Sequence, residues 1–251
     1  MITQQKLLKN NSKLKKEHFQ LKETIATIVA ENDFYIEIAK EEIENRRNDI
    51  EQFIKENKDF VGALKPLNYI KNAPEIINKM CESSVKLNVG PMATVAGIIA
   101  EYAVKAMIAD GAKHAIVDNG GDIAIFSDRA INVGIYTGNI YTDGFALKIE
   151  PKNQIYGVCT SSGKIGHSLS FGNCDAVTVL SHNLSVADAA ATALGNLVQT
   201  RRDIKNAFNI LEDVDEIIGA VIFVGDHVGI WGKIPRIIRA DVPYELITRG
   251  W

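Results

Sequence analysis

Asp188 and Thr192 stand four residues apart in the stretch Asn183 to Val198, NLSVADAAATALGNLV. On a helix both oxygens project from one face, one turn apart. A carboxylate and a hydroxyl so placed suit a hard ion or a phosphate, and the surrounding alanines leave room for one to approach. The same residues also describe an alanine-rich core helix with a buried threonine and a capping aspartate. What tips the balance toward a ligand is the neighbouring chemistry. The segment from Cys159 to Cys174, CTSSGKIGHSLSFGNC, is rich in Ser, Gly and Thr, which suits backbone and hydroxyl donors to an anionic group or an ordinary surface loop. Cys159, at its head, is either a thiolate favoured by nearby N–H groups or a small buried hydrophobe.

The elements that must hold these residues follow from patterning. Thr24 to Ala30 alternates as a strand, and after a turn at Glu31-Asn32-Asp33 the run FYIEIA alternates as a second. Lys40 to Lys58 switches to helical spacing, with Ile43, Ile50, Phe53 and Ile54 on one stripe. APEIINKMCESS is a shorter helix, with Pro74 near its start. The next unit, from Ser84 to Phe126, is expected to run strand, Gly-Pro loop, small-residue helix over about Ala93 to Ala109, strand, tight turn, strand. Asp118-Asn119-Gly120-Gly121-Asp122 is a strong hairpin signal, in which both aspartates read first as turn residues. Short strands follow, and then the outline recurs: strand AVTVLS, the Asp188 helix, a second helix RRDIKNAFNIL, and a hairpin across Gly225-Asp226. The recurrence points to an internal duplication, over about 85–150 and 175–232, within one domain from residue 21 onward. Antiparallel sheets with packed helices, an α+β class, fit this better than a doubly wound parallel sheet.

The chain of 251 residues is 46% hydrophobic and 24% charged with net charge −3, so it can bury a full core and carries no basic footprint for nucleic acid. No apolar run is expected to span a bilayer. Residues 1–20 are polar and basic, unlike a secretory signal, and are expected to form a loose lead-in. Three cysteines without paired-ligand spacing argue against a disulfide framework or zinc ribbon and for a cytoplasmic setting. Dinucleotide, P-loop, zincin and nucleophile-elbow motifs are absent.

In order and spacing, GIIAEYAVKAM, AIVDNGGDIAIF, CTSSGKIGHS and ADAAATALGN resemble the ApbE-like superfamily, whose best-known members are FAD-dependent protein flavin transferases. The likeness is closer to a branch found largely in archaea and anaerobes, through Val89-Gly90-Pro91-Met92-Ala93, Asn119 to Ile123, Cys159 to Gly163, Gly166-His167-Ser168 and Asp188 to Thr192. The resemblance implies an ApbE-like, T-fold-related architecture of layered antiparallel sheets. It implies Mg2+ held by Asp188 and Thr192 with the Ala191 carbonyl, engaging the diphosphate of FAD. It places Thr160, Ser161, Ser162 and Gly163, with Asn119, Gly120, Gly121 and Asp122, at the cofactor. His167 would serve in proton transfer or as a hydrogen-bonding group. The expected partner is thus a small phosphorylated or dinucleotide ligand, with no nucleic acid or membrane. Small-residue helices and open sheet edges are compatible with a homodimer.

Two departures are specific. The transferases' Lys-Gly before the tyrosine is Ala100-Glu101 here, and the acid after their Ala-Val is Lys105. They favour ligand binding over transfer, and leave a non-catalytic ApbE-like protein as an alternative. A second alternative, implied by the archaeal branch, is a component of sulfide assimilation toward homocysteine, with Cys159 as its reactive residue.

Overall fold

The computed structural model describes residues 14–138, 142, 144–162 and 172–240. Two antiparallel hairpins begin and end the larger sheet. Strand β1 (Lys15–Leu21) pairs with β2 (Thr24–Ala30) from Lys15↔Ala30 to Leu21↔Thr24. Residues 15–20, expected as lead-in, therefore belong to the sheet; β1 alternates exposed and half-buried side chains, a pattern its polar composition hides.

Helix α1 runs from Asp33 to Glu56 and so includes Phe34 to Ala39, expected as a strand. Asn32 supplies the start signal, its side chain accepting the Tyr35 amide at 3.3 Å. Ile36, Ala39, Ile43, Ile50 and Phe53 are buried at helical spacing, while Phe34 is 60% exposed. The short alternation of Phe34, Ile36 and Ile38 was thus one end of a helical stripe. A turn of helix, α2 (Asp59–Gly62), leads to α3 (Glu75–Leu87). Helix α3 also takes in Ser84 to Leu87, where a strand was expected. It ends at Asn88, whose left-handed backbone (φ 54) lets its N–H reach the Ser84 and Val85 carbonyls.

A 3-10 turn, Pro91–Thr94, opens directly into α4 (Val95–Ala109). Pro91–Ala109 is by length and composition apolar enough to cross a membrane, with mean hydropathy 1.5, contrary to the expectation that no run would be. Here it is a core helix, packed on α1, α5 and strands β3 (His114–Asn119) and β4 (Asp122–Ser127). Strands β5 (Ile131–Gly134) and β6 (Phe145–Ile149) leave the main sheet, and β7 (Lys152–Ser161) returns to it. After β8 (Ala176–Ser181) come α5 (Leu184–Leu197), the short α6 (Ile204–Ala207) with a 3-10 turn, and strands β9 (Ile217–Val224), β10 (His227–Gly232) and β11 (Arg236–Arg239).

The main sheet orders as β1-β2-β3-β4-β7-β8-β9-β10, every neighbour antiparallel, and a smaller sheet orders as β11-β6-β5. One face of the main sheet carries the helices over a core including Ile28, Val117, Val179 and Ile222. The other carries the small sheet, over a core including Ile125, Leu147, Leu180 and Phe223. The result is a layered α+β architecture. Hairpin, helices, hairpin occurs on each side of its middle: β1-β2 to β3-β4 through α1 to α4, and β7-β8 to β9-β10 through α5. Helix α4 lies against β3 and β4, and α5 against β7 and β8, so the two small-residue helices meet over the sheet centre.

Candidate functional site

The β3–β4 hairpin turns on Gly120 (φ 68) and Gly121 (φ 103), left-handed backbone angles that favour glycine. Asp118 accepts the Gly121 amide at 2.9 Å, so it acts as a turn residue. Asn119 donates to the Ala96 carbonyl at 3.0 Å, tying the hairpin to the start of α4. Asp122 opens β4 opposite Cys159 of β7 and is buried. The Cys159 thiol and the Thr160 amide lie beside its carboxylate, the amide donating to the Gly121 carbonyl at 3.2 Å, and the Asp122 Oδ1 has no partner among the described residues.

Asp188 reaches the same place from α5. Its Oδ2 accepts the Gly97 amide at 2.9 Å, and the Ala96 amide points at the carboxylate as well. Gly97 is required by that closeness: a Cβ there would lie 2.7 Å from the Leu184 carbonyl oxygen and 3.0 Å from the Asp188 Cβ. Burial pushes Asp188 up to about 7, against the pull of the two amides. Asp122 is raised well above the carboxylate range, first by burial and then by the charge of Asp188. Two buried like charges cannot both ionise cheaply, so the pair calls for a proton or a cation.

Of the two readings of Cys159, its surroundings favour the small buried hydrophobe over the thiolate. The thiol is fully buried, it contacts the Leu184 carbonyl at 3.6 Å, and burial with the charges of Asp122 and Asp188 pushes it well above the ordinary thiol value. An environment of carboxylates disfavours a second anion, whatever amides lie nearby.

The remaining expected residues divide. Thr160 shares a 3.0 Å hydrogen bond with Thr178 across the β7–β8 ladder, and Ser162 donates to the Asp175 carbonyl at 2.7 Å. Ser161 is the half-buried last residue of β7. Thr192 is half-buried one turn beyond Asp188, while Ala191 is buried within the continuous α5. Gly163 and His167 lie outside the described residues. Asp122, Cys159, Thr160 and Asp188 therefore converge.

Three further residues contribute contacts that the sequence did not assign to them. Gly97 holds Asp188. Glu101 of α4 accepts the Leu184 amide, the first of α5, at 2.6 Å, and forms an ion pair with Lys105 one turn on. Asp175 accepts the Gly225 amide at 2.6 Å, fixing the strand that follows the polar loop.

Hard oxygen donors, one of them buried and without a partner, fit a magnesium-type ion. Among the described residues no group of three or more His, Cys, Asp or Glu side chains forms a metal cage. A cation here would take few protein ligands and complete its shell with water and phosphate, as Mg2+ does.

The layered antiparallel fold is one that solved ApbE proteins share. The Pseudomonas stutzeri flavinyl transferase ApbE, in its apo form, superposes with a TM-score of 0.60 over 89% of this chain and 95% of its own, at 12% identity. The ApbE protein of Thermotoga maritima gives 0.53 over 94% and 100%, also at 12% identity. At that identity the likeness is one of fold. Residues 6–223 match the family model described as AbpE bacteria, and the chain belongs to that family. Relatives described as UPF0280 proteins are much nearer: that of Methanothrix thermoacetophila is 50% identical over 94% of this chain and 99% of its own. That of Methanosarcina barkeri is 47% identical over 94% and 93%. The chain thus stands in an archaeal branch of the ApbE-like proteins.

Proposed function

We propose that the site where Asp122, Thr160 and Asp188 converge binds a flavin nucleotide, FAD, through a divalent cation, Mg2+, in the service of flavin-nucleotide transfer. The observation that carries this reading is the buried Asp122–Asp188 pair with its unpartnered Asp122 oxygen. Two carboxylates repel a diphosphate, so an anionic ligand fits here only with a cation between them. Asp188 and Thr192 would hold that ion, with the Ala191 carbonyl a further ligand implied by the family motif. When bound, the ion would stabilise negative charge on a diphosphate.

The chain's own residues supply the frame. Gly97 and Ala96 aim two amides at Asp188 and fix the carboxylate's orientation. Asn119 anchors the Gly120-Gly121 turn to α4, so hairpin and helix present one edge to the ligand. The Thr160–Thr178 and Ser162–Asp175 hydrogen bonds hold the strand end that leads into the family's Thr-Ser-Gly segment. By the same motif Gly163 would give a phosphate close backbone access, and His167 would hold or move a proton beside the flavin.

Calorimetry of the purified full chain with FAD, with and without Mg2+, tests the reading. Binding is expected only with Mg2+, and Asp188→Asn is expected to abolish it. Absence of binding under both conditions, or an Asp188→Asn variant that binds as the parent does, overturns it.

A further inference from the structure

Aligning Ala100-Glu101 of α4 with Ala187-Asp188 of α5 places Gly97 on Leu184, Ala103 on Ala190, Lys105 on Thr192 and Ala106 on Ala193. The contacts obey the same correspondence. Asp188 accepts the amide of Gly97, and Glu101 accepts the amide of Leu184, at 2.9 and 2.6 Å. Each helix therefore caps the other through an acid at the equivalent position, as a local two-fold axis between the helices requires. The symmetry breaks one turn further on. Glu101 has Lys105 there, bound to it as an ion pair; Asp188 has Thr192, which brings no charge.

We propose that Lys105 is the built-in cation of a second carboxylate site, equivalent to that of Asp188, so that the chain takes one exchangeable divalent ion and not two. The inference rests on the Asp188 site proposed above and adds a role for two residues that depart from the transferase pattern. Glu101 is buried to 11% side-chain exposure, so its charge has to be neutralised locally. In the first half of the chain a tethered ammonium does this. In the second half the position is left to a ligand, which also confines ligand binding to one of two similar helices.

Counting Mn2+ by the loss of its free electron paramagnetic resonance signal tests this on the full chain. The parent is expected to bind one ion, Lys105→Thr two, Asp188→Asn none, and the double variant one. Lys105→Gln, which keeps the stem and removes only the charge, is expected to gain an ion as well and carries the test if Lys105→Thr does not fold. A variant that folds and gains no ion over the parent overturns the proposal. A parent that binds none while Lys105→Thr binds one keeps the lysine's role and instead removes the Asp188 site.

Discussion

Glu101 Oε2 lies 2.6 Å from the amide nitrogen of Leu184, joining the middle of α4 to the first residue of α5. With Asn183, which accepts the Val186 amide at 3.3 Å, it satisfies donors that a helix start leaves open. The N-terminus of α5 is therefore closed by a carboxylate and does not serve as an anion site. A diphosphate would have to be met elsewhere, by the cation proposed at Asp188.

Removing that carboxylate should cost stability directly. Glu101→Ala leaves a buried amide unpartnered, a loss of about 1–3 kcal/mol, and Glu101→Gln, which keeps an acceptor, should lose less. Urea unfolding checks both; equal losses would mean that the charge, and not the hydrogen bond, holds the helices.

Gly97→Ala should be worse than its size suggests. The new methyl would meet the Leu184 carbonyl and the Asp188 Cβ, both on α5, so the helices must separate. Roughly 1–3 kcal/mol of destabilisation is expected, with weakened Mg2+-dependent FAD binding in whatever folds. A variant with parental stability and affinity would show that the helix pair tolerates being spread.

Much of this was legible in the sequence, and the exceptions share a cause. The Gly120-Gly121 hairpin, the small-residue helices and the strand at Ala176–Ser181 each announce themselves through local residue choice. Phe34–Ala39 misleads because three alternating apolar residues fit the start of a helical stripe as well as a strand. Ser84 to Leu87 misleads because its stop signal, Asn88, acts only through its left-handed backbone. Asp188 stands out by its motif, but its coupling to Asp122 depends on β4 and α5 meeting across the sheet. Burial likewise favours one of the two readings of Cys159, and burial is a property of the assembled layers. The Glu101–Leu184 contact was discoverable only as the mirror of the Asp188–Gly97 contact, once both were seen.

The thiols offer a check on that burial. Cys81, Cys159 and Cys174 are all buried, and Cys159 lies beside the Asp122 and Asp188 carboxylates. Ellman's reagent at mildly alkaline pH should label none of them in the native protein and all three in guanidinium. A thiol that reacts at once in the native chain, and disappears in Cys159→Ser, would mean that the Asp122 pocket is open and that Cys159 is poised for chemistry.

The carboxylate pair and a distant histidine should pull stability in opposite directions with pH. Asp188, raised to about 7, keeps a proton in the folded chain that the unfolded chain releases near its ordinary value of about 4. Its contribution is complete in acid and is lost as pH rises between those values; Asp122, also raised, acts in the same sense. His114 is buried, with Nδ1 on Ser127 at 2.9 Å and Asp128, Arg129 and Glu31 around it, and burial lowers its pKa. The unfolded chain therefore takes up that proton first, and stability is lost as pH falls below about 6.5. The difference between Asp188→Asn and the parent cancels His114 and isolates the carboxylate. Measured with chelator present, the melting temperature of the variant relative to the parent should rise steadily from about pH 5 to about pH 7.5. Saturating Mg2+ should flatten that rise, because the ion replaces the proton on Asp188. A difference that stays level with pH would mean that Asp188 is ionised in the folded chain throughout, with a cation already in place.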